Sequence, residues 1–337
     1  MWRVVLVVML AGCSLYFNSE PSTAPPDAPT ATLPAPELVA LPFGDARDIA
    51  VDDRYVYWTE QSLDGTGSVV RSDKQSGERV DLAVTTDGMP SELELVDGYV
   101  YWTELRGYSG NGRWLGSDRV MRTPIDGGAA EIVADDQWFE DYDIATMAAV
   151  GDTLYWLDGA GAIRFSHVEL GGVPVVETLR TGLDQPGVIG ANASNVCFRT
   201  GQPNSDCPIW CAATSDGSLR SVGAGFPRSL VFEGDTLYWA DEQAEVIVAA
   251  EPTGSQPVVQ LGPANLVLGL QLAKQNFLWD EELDEPSPTA RVRMSRPDGA
   301  IATIATVDGW LSAFASDTAY VYMIDGAHNQ IVRAPRP

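Results

Sequence analysis

At 337 residues, 45% apolar and 20% charged, the chain can bury a large core, and length alone implies two ordinary domains. Its 47 acidic residues against 21 basic ones give a net charge of −26. That balance excludes nucleic acid, whose phosphates need Lys and Arg, and docking on an anionic lipid surface; it suits a well-solvated body, a cation or a basic partner.

The chain opens with Met1-Trp2-Arg3 and an apolar run from Val4 to Leu10. This run is far shorter than the roughly 20 residues needed to span a bilayer, so residues 1–12 read as a signal peptide. The next quartet, Leu10-Ala11-Gly12-Cys13, resembles the lipobox of bacterial lipoproteins. The resemblance implies cleavage before Cys13, acylation of its thiol and amine, and several acyl chains holding the protein on a membrane. Ser14 rather than Asp follows the cysteine, which in such lipoproteins implies the outer membrane of a bacterial cell envelope. Residues 13–36 then turn rich in Pro, Ala, Thr and Ser and lose any apolar period. They read as a tether that lifts a folded head off the membrane.

Residues 37–337 carry a repeat. Seven aromatic or apolar pairs recur: Tyr57-Trp58, Tyr101-Trp102, Tyr155-Trp156, Cys197-Phe198, Tyr238-Trp239, Leu278-Trp279 and Tyr322-Met323. Each follows a short apolar strand and a tight polar turn such as Asp52-Asp53, Asp97-Gly98 or Gly234-Asp235, which is a hairpin signal. A third strand, a glycine-bearing turn and a fourth strand complete each unit. Strand-built repeats of about 40 residues predict an all-β fold, a β-propeller, in which blades stack on their neighbours and close into one body. The seventh repeat stops after its third strand, while Glu37 to Leu41 looks like a fourth strand with nothing before it. Pairing the two closes a seven-bladed ring and removes an exposed sheet edge. The alternation of Leu38 and Ala40 with Val39 and Leu41 predicts that this strand is covered on both faces.

Tyr57-Trp58-Thr59-Glu60, Tyr101-Trp102-Thr103-Glu104, Tyr155-Trp156-Leu157-Asp158 and Tyr238-Trp239-Ala240-Asp241 resemble the YWTD repeats of low-density-lipoprotein-receptor-type propellers. The resemblance runs from about residue 37 to the end and implies that these residues are structural. That family usually has six blades, so seven is a departure, and transfer of its partner-binding face is analogy at the level of fold. Independently of the family, a Trp at a fixed blade position is expected to pack between sheets, where a large aromatic buries most area.

Insertions fall in second-to-third-strand and blade-to-blade connections, which emerge on one face of a propeller, and loops on a rigid scaffold are where binding concentrates. Leu105 to Asp118 interrupts blade two with Tyr108, Arg113 and Trp114; Asp135 to Asp143 joins blades two and three with Asp136, Trp138, Glu140 and Asp141. Arg199 to Pro208 enlarges blade four, and Asp280 to Glu285, with Asp280 and Glu281, enlarges blade six. These residues form the expected ligand-binding face. The carboxylates of Asp135 to Asp143 are dense enough to hold Ca²⁺, but their spacing matches no calcium-loop signature, and no other cofactor is expected.

Catalytic motifs are missing: two histidines, His167 and His328, and no HExxH, GxSxG or paired-cysteine zinc spacing. Asp48, Glu92 and Glu94 are the acids of the inner strands and are candidates for the central channel. Beyond Cys13 the cysteines are Cys197, Cys207 and Cys211. An extended Pro208-Ile209-Trp210 holds Cys207 and Cys211 about 13 Å apart, beyond disulfide reach, which leaves Cys197 bridged to Cys207 or to Cys211. The reading is a monomeric, membrane-tethered, non-enzymatic propeller that binds a protein, peptide or glycan. Two alternatives stand beside it: a metal-dependent lactonase- or lyase-like propeller enzyme, and an architectural envelope protein.

Overall fold

The computed structural model describes residue 33 and residues 35–336, apart from 63–65, 87, 107, 110–112, 115–117, 138–145, 169–171, 202–206, 242, 254–256, 262–266, 274–275, 284–287 and 296–299. Seven four-stranded antiparallel sheets account for the described strands, with one extra two-stranded hairpin. Their first strands are Asp45–Val51, Gly88–Val96, Met147–Val150, Pro186–Ala191, Pro227–Glu233, Val267–Ala273 and Leu311–Ser316. Each touches the first strand of the next blade, and the last touches the first, so the inner strands form a closed ring round a channel. The fold is a seven-bladed β-propeller.

Blade seven is completed from the other end of the domain. Glu37–Ala40 pairs antiparallel with Gln330–Pro335, matching Glu37 with Arg333 and Leu38 with Val332, and Arg333 Nε meets Glu37 Oε2 at 3.0 Å. The expectation that this strand is covered on both faces is corrected: Leu38 is 57% exposed, whereas Val39 and Ala40 are partly buried against blades seven and one. Leu41, from the other alternating set, is 58% exposed as well; neighbouring sheets diverge with radius, so an outermost strand is covered only in part. The outermost strand of blade three, Val176–Thr181, is likewise mostly exposed.

Seven apolar clusters occupy the seven wedges between blades. At the same position in each stands the second residue of a repeat pair: Trp58, Trp102, Trp156, Phe198, Trp239, Trp279 and Met323, none more than 1% exposed. Each packs against the preceding blade; Trp156, for instance, lies with Met89, Tyr101 and Val120 of blade two. The first residue of the pair faces the following blade and ties down the hairpin before it. Tyr57 Oη donates to Asp52 Oδ2 at 2.7 Å, and Asp52 Oδ1 accepts from the backbone N–H groups of Arg54 and Tyr55. Blade seven repeats this with Tyr322 and Asp317. Between blades of this kind, Asp97 and Gly98 both take positive φ, as a two-residue I′ hairpin requires.

In six of the seven blades the fourth residue of the repeat is an acid, and blade four has Thr200 there; the acid is held inside its own blade. Glu60 accepts from the indole N–H of Trp58 at 2.8 Å and from Arg79 at 2.6 Å. Glu104 pairs with Arg119, Asp158 with Arg164 and Asp325 with His328. The Tyr-Trp-Thr-Glu signature is thus a packing and hydrogen-bonding unit.

Candidate functional site

Six of the seven inner strands slip register against their neighbour, five of them just before the residue opposite the Trp position and blade seven one residue earlier. Such bulges leave backbone N–H groups to be satisfied by side chains. The repeat's third residue does this: Thr59 Oγ1 accepts from Asp48 N and Thr103 Oγ1 from Glu92 N, each at 3.2 Å. The bulged residues themselves reach across to the next blade. Asp48 Oδ2 accepts from Leu93 N at 2.7 Å, and Glu92 accepts from Thr146 N, Thr146 Oγ1 and Met147 N at 2.8–3.1 Å. Two channel acids are therefore interblade clasps.

These strands enclose a cavity of about 880 Å³. Asp48, Glu92, Glu94, Asp280 and Glu282 line it, against Arg47 and Arg228. The channel placement expected for Asp48, Glu92 and Glu94 is found. Burial raises all the shifted carboxyls here. Asp48 is pushed up to about 6 against the pull of its bonds from Leu93 and Ile49. Glu92 is raised to about 8 despite its bonds from Thr146, with Asp48 and Glu94 adding to the rise. Glu94 is raised to about 8 by burial and by the charge of Asp48, and Asp280 to about 7 by burial, opposed by the N–H of Gly269.

The sign of the consequence is fixed. Ordinary carboxyl values are 3.8 and 4.5, so between those and about 8 the folded chain holds more protons than the unfolded one. Stability then falls as pH rises through that window. The urea midpoint is expected to drop steadily from about pH 5 to about pH 8. In Glu94→Gln the slope is shallower; an unchanged slope would show that this carboxyl titrates as it does in water.

Asp280 and Glu281 were expected in an exposed insertion of blade six, and the structure corrects this. Both lie in the strand Asn276–Leu283, 3% and 0% exposed. Leu278-Trp279-Asp280-Glu281 occupies the four repeat positions, so Asp280 stands where blades one and two have Thr59 and Thr103. It accepts from the bulge N–H of Gly269 at 2.6 Å. Glu281 stands where Glu60 does and accepts from Trp279 Nε1 at 2.7 Å and Arg291 Nε at 2.6 Å, with Arg293 at 3.5 Å. Aligning these four residues with Tyr57-Trp58-Thr59-Glu60 is the signal that places them; only the Trp and the acid survive unchanged.

In blade two, Tyr108–Ser109 pairs with Arg113–Trp114 as a short hairpin, with Tyr108 opposite Trp114, so the backbone brings Tyr108, Arg113 and Trp114 together. Asp136 lies in the outermost strand of that blade, Glu131–Gln137. Trp138, Glu140, Asp141 and Cys13 lie outside the described residues. Sequence reasoning missed Phe43 and Trp310, 78% and 52% exposed. Both sit in blade-to-blade connections, and blade seven's second-to-third-strand turn bonds to each: Asn329 Nδ2 donates to Gly44 O, and Gly326 N to Trp310 O. Arg79 stacks on Phe43 at 4.0 Å. His328 lies in that same turn on Asp325, and His167 sits at the end of blade three's third strand beside Thr153 Oγ1 at 2.8 Å.

The cysteine alternatives resolve to Cys197–Cys211, directly opposite each other on neighbouring strands of blade four. Cys207 is a buried thiol with Arg199 Nη1 3.9 Å from its sulfur. Among the described residues, no three of His, Cys, Asp and Glu converge on a point able to hold a metal ion.

No family model and no curated protein sequence matches the chain. Solved structures do. A chain of the mitotic checkpoint complex aligns over 100% of this chain and 99% of its own length, at 11% identity and a TM-score of 0.63. The β-propeller domain of the trilobed protease from Pyrococcus furiosus covers 88% of this chain and 94% of its own, at 11% identity and a TM-score of 0.57. That domain has an open velcro topology, whereas blade seven here is closed by Glu37–Ala40. A chain of a nidogen/laminin complex covers 63% of this one and 78% of its own at 19% identity, with a TM-score of 0.43. At 11% identity the first two likenesses show the fold alone.

Proposed function

We propose that this is a non-enzymatic binding propeller, held on a bacterial outer membrane through acylated Cys13 and presenting its loop-bearing face to a protein, peptide or glycan. The observation that carries the reading is the exposure of Phe43 and Trp310 on the face where the blade-to-blade and second-to-third-strand connections emerge. The hairpin with Tyr108 and Trp114 belongs to the same class of connection. Large aromatics left in water on one face of a rigid body are the usual anchors of an interface. The channel acids, by contrast, are largely engaged in backbone hydrogen bonds rather than arranged as an acid–base pair.

The test is capture from envelope extract. Replacing Trp114, Trp138 and Trp310 together by Ala is expected to lower capture of the enriched partner at least about tenfold with little change in melting temperature. Capture undiminished in that variant would count against this face. Cys13→Ser tests the anchor separately: the protein is expected to leave the membrane fraction, and normal processing with unchanged partition would refute lipidation.

A further inference from the structure

The acids of the channel are not equally occupied. Asp48 and Glu92 clasp neighbouring blades and Asp280 closes a bulge, but Glu94 accepts no hydrogen bond from the described residues. Its side chain is enclosed by protein except where it lines the channel, and there it keeps some accessible surface. The register explains the mismatch. Glu94 lies opposite Tyr101, as Gln271 lies opposite Leu278 in blade six. Gln271 spends its amide on the next blade, Nε2 donating to Phe314 O at 2.6 Å. Met147 holds the place of Phe314 in blade three, each lying opposite the repeat's second residue. Glu94 makes no such bond across to blade three, and once ionised its carboxylate has only acceptors, so its partner must be a donor from elsewhere.

The remaining groups facing Glu94 set the charge of that donor. Blade one contributes Arg47 and Asp48, and blade three's inner strand contributes only Met and Ala to the channel; Glu92 precedes Glu94 on its own strand, and Arg228, Asp280 and Glu282 lie on blades five and six. Five carboxyls thus face two guanidiniums, and that of Arg47 reaches outward to Gln61. The carboxyls are spread along the wall, and no three converge as a metal site requires. Dispersed carboxylates in a narrow channel match dispersed cationic charge.

We propose that the channel binds a flexible alkyl chain carrying two or more ammonium groups, one seated on Glu94 and another among Asp48, Glu92 and Glu282. An ammonium has three donors and no acceptor, so it satisfies Glu94 and a neighbouring carbonyl together. Of the aromatics behind the loop-bearing face only Trp310 also lines the channel, and this site rests on Glu94 instead, so either reading can fail while the other stands. Seating the cation requires Glu94 to ionise, and burial raises its carboxyl to about 8. Binding near neutral pH therefore releases a proton, and affinity rises from about pH 6 to about pH 8.

The experiment is calorimetric titration of the full chain with spermidine at about pH 7, in two buffers of different ionisation enthalpy. The expected result is saturable binding with proton release, weakened at least about tenfold in Glu94→Gln. Glu94→Gln removes a buried acid without changing shape, and its melting temperature is expected to hold or rise. Ala50→Lys, at the equivalent register position of blade one, supplies the cation from within the chain and is expected to abolish binding. Glu177→Gln, on the exposed outermost strand of blade three, leaves it unchanged. Trilysine forms the second arm: binding to it but not to spermidine assigns the ammonium chain to a basic protein segment, and the reverse assigns it to a free polyamine. The proposal is overturned if neither probe binds, if Glu94→Gln binds like the wild type, if Glu177→Gln weakens binding as much, or if Ca²⁺ displaces spermidine at equal concentration.

Discussion

A chain lacking residues 37–42 is expected to aggregate on purification and melt well below the intact protein, whereas deletion of residues 18–36 leaves both properties nearly unchanged. The asymmetry follows from what each stretch touches. Residues 18–36 have a composition with no core to lose, and removing such a segment costs little. Residues 37–40 are the fourth strand of blade seven, paired with Gln330–Pro335. Val39 and Ala40 pack in the wedge that also holds Trp58, Tyr322, Ile324 and Ile331. Losing their buried area and ladder bonds costs about 2–4 kcal/mol. The Glu37–Arg333 pair adds little, because Glu37 is largely in water and exposed ion pairs contribute about 0–1 kcal/mol. The larger consequence is the open edge of Gln330–Pro335, which offers unpaired backbone groups to another chain. Size-exclusion profiles and thermal melts of the two truncations decide it. If both stay monomeric and melt alike, the closing strand contributes nothing to the ring.

The parts of this molecule that repeat were legible in its sequence, and the parts that occur once were not. Seven pairs such as Tyr57-Trp58 fixed the blade count because a packing position recurring in every wedge must recur in the chain. The leftover strand at Glu37 was legible because seven blades need 28 strands and the last repeat was one short. Blade six was misread at its second strand. With Leu278 for Tyr and Asp280 for Thr, the run into Glu285 looked like an acidic loop, yet Asp280 takes the bulge N–H that a threonine takes in blades one and two. Register decides that, and register is visible only once the strands are paired. The acids at Asp48, Glu92 and Glu94 could be assigned to the channel from the strand pattern, but not their unequal partners. Those depend on whether the next blade presents an N–H within reach, as Leu93 does to Asp48. Phe43 and Trp310 stand alone in short connections, where no period marks them. The disulfide narrowed to two options because three cysteines fell in one blade. Cross-strand pairing chose Cys211, which lies directly opposite Cys197.

Glu281→Ala is expected to destabilise the domain by about 3–5 kcal/mol, far more than its charge alone implies. The carboxylate is fully buried and serves three donors: the Trp279 indole at 2.7 Å, Arg291 at 2.6 Å and Arg293 at 3.5 Å. Truncation leaves two guanidiniums with less compensation, Arg293 being only 7% exposed, and leaves a buried indole N–H facing a void. A buried ion pair assembled from water contributes little net stability, because desolvation offsets the attraction. Removing one partner is different, since the desolvation cost of the others remains. Glu281→Gln separates the two effects. Its amide oxygen keeps an acceptor for the indole while the charge is lost, so an intermediate loss is expected. Glu37→Ala provides the exposed reference and is expected to cost no more than about 1 kcal/mol. Urea midpoints of the three variants at constant slope measure the ordering. If Glu281→Ala proves as mild as Glu37→Ala, the acid at the fourth repeat position is not what holds Trp279 in its wedge, and the same doubt extends to Glu60, which binds Trp58 and Arg79 in the same way.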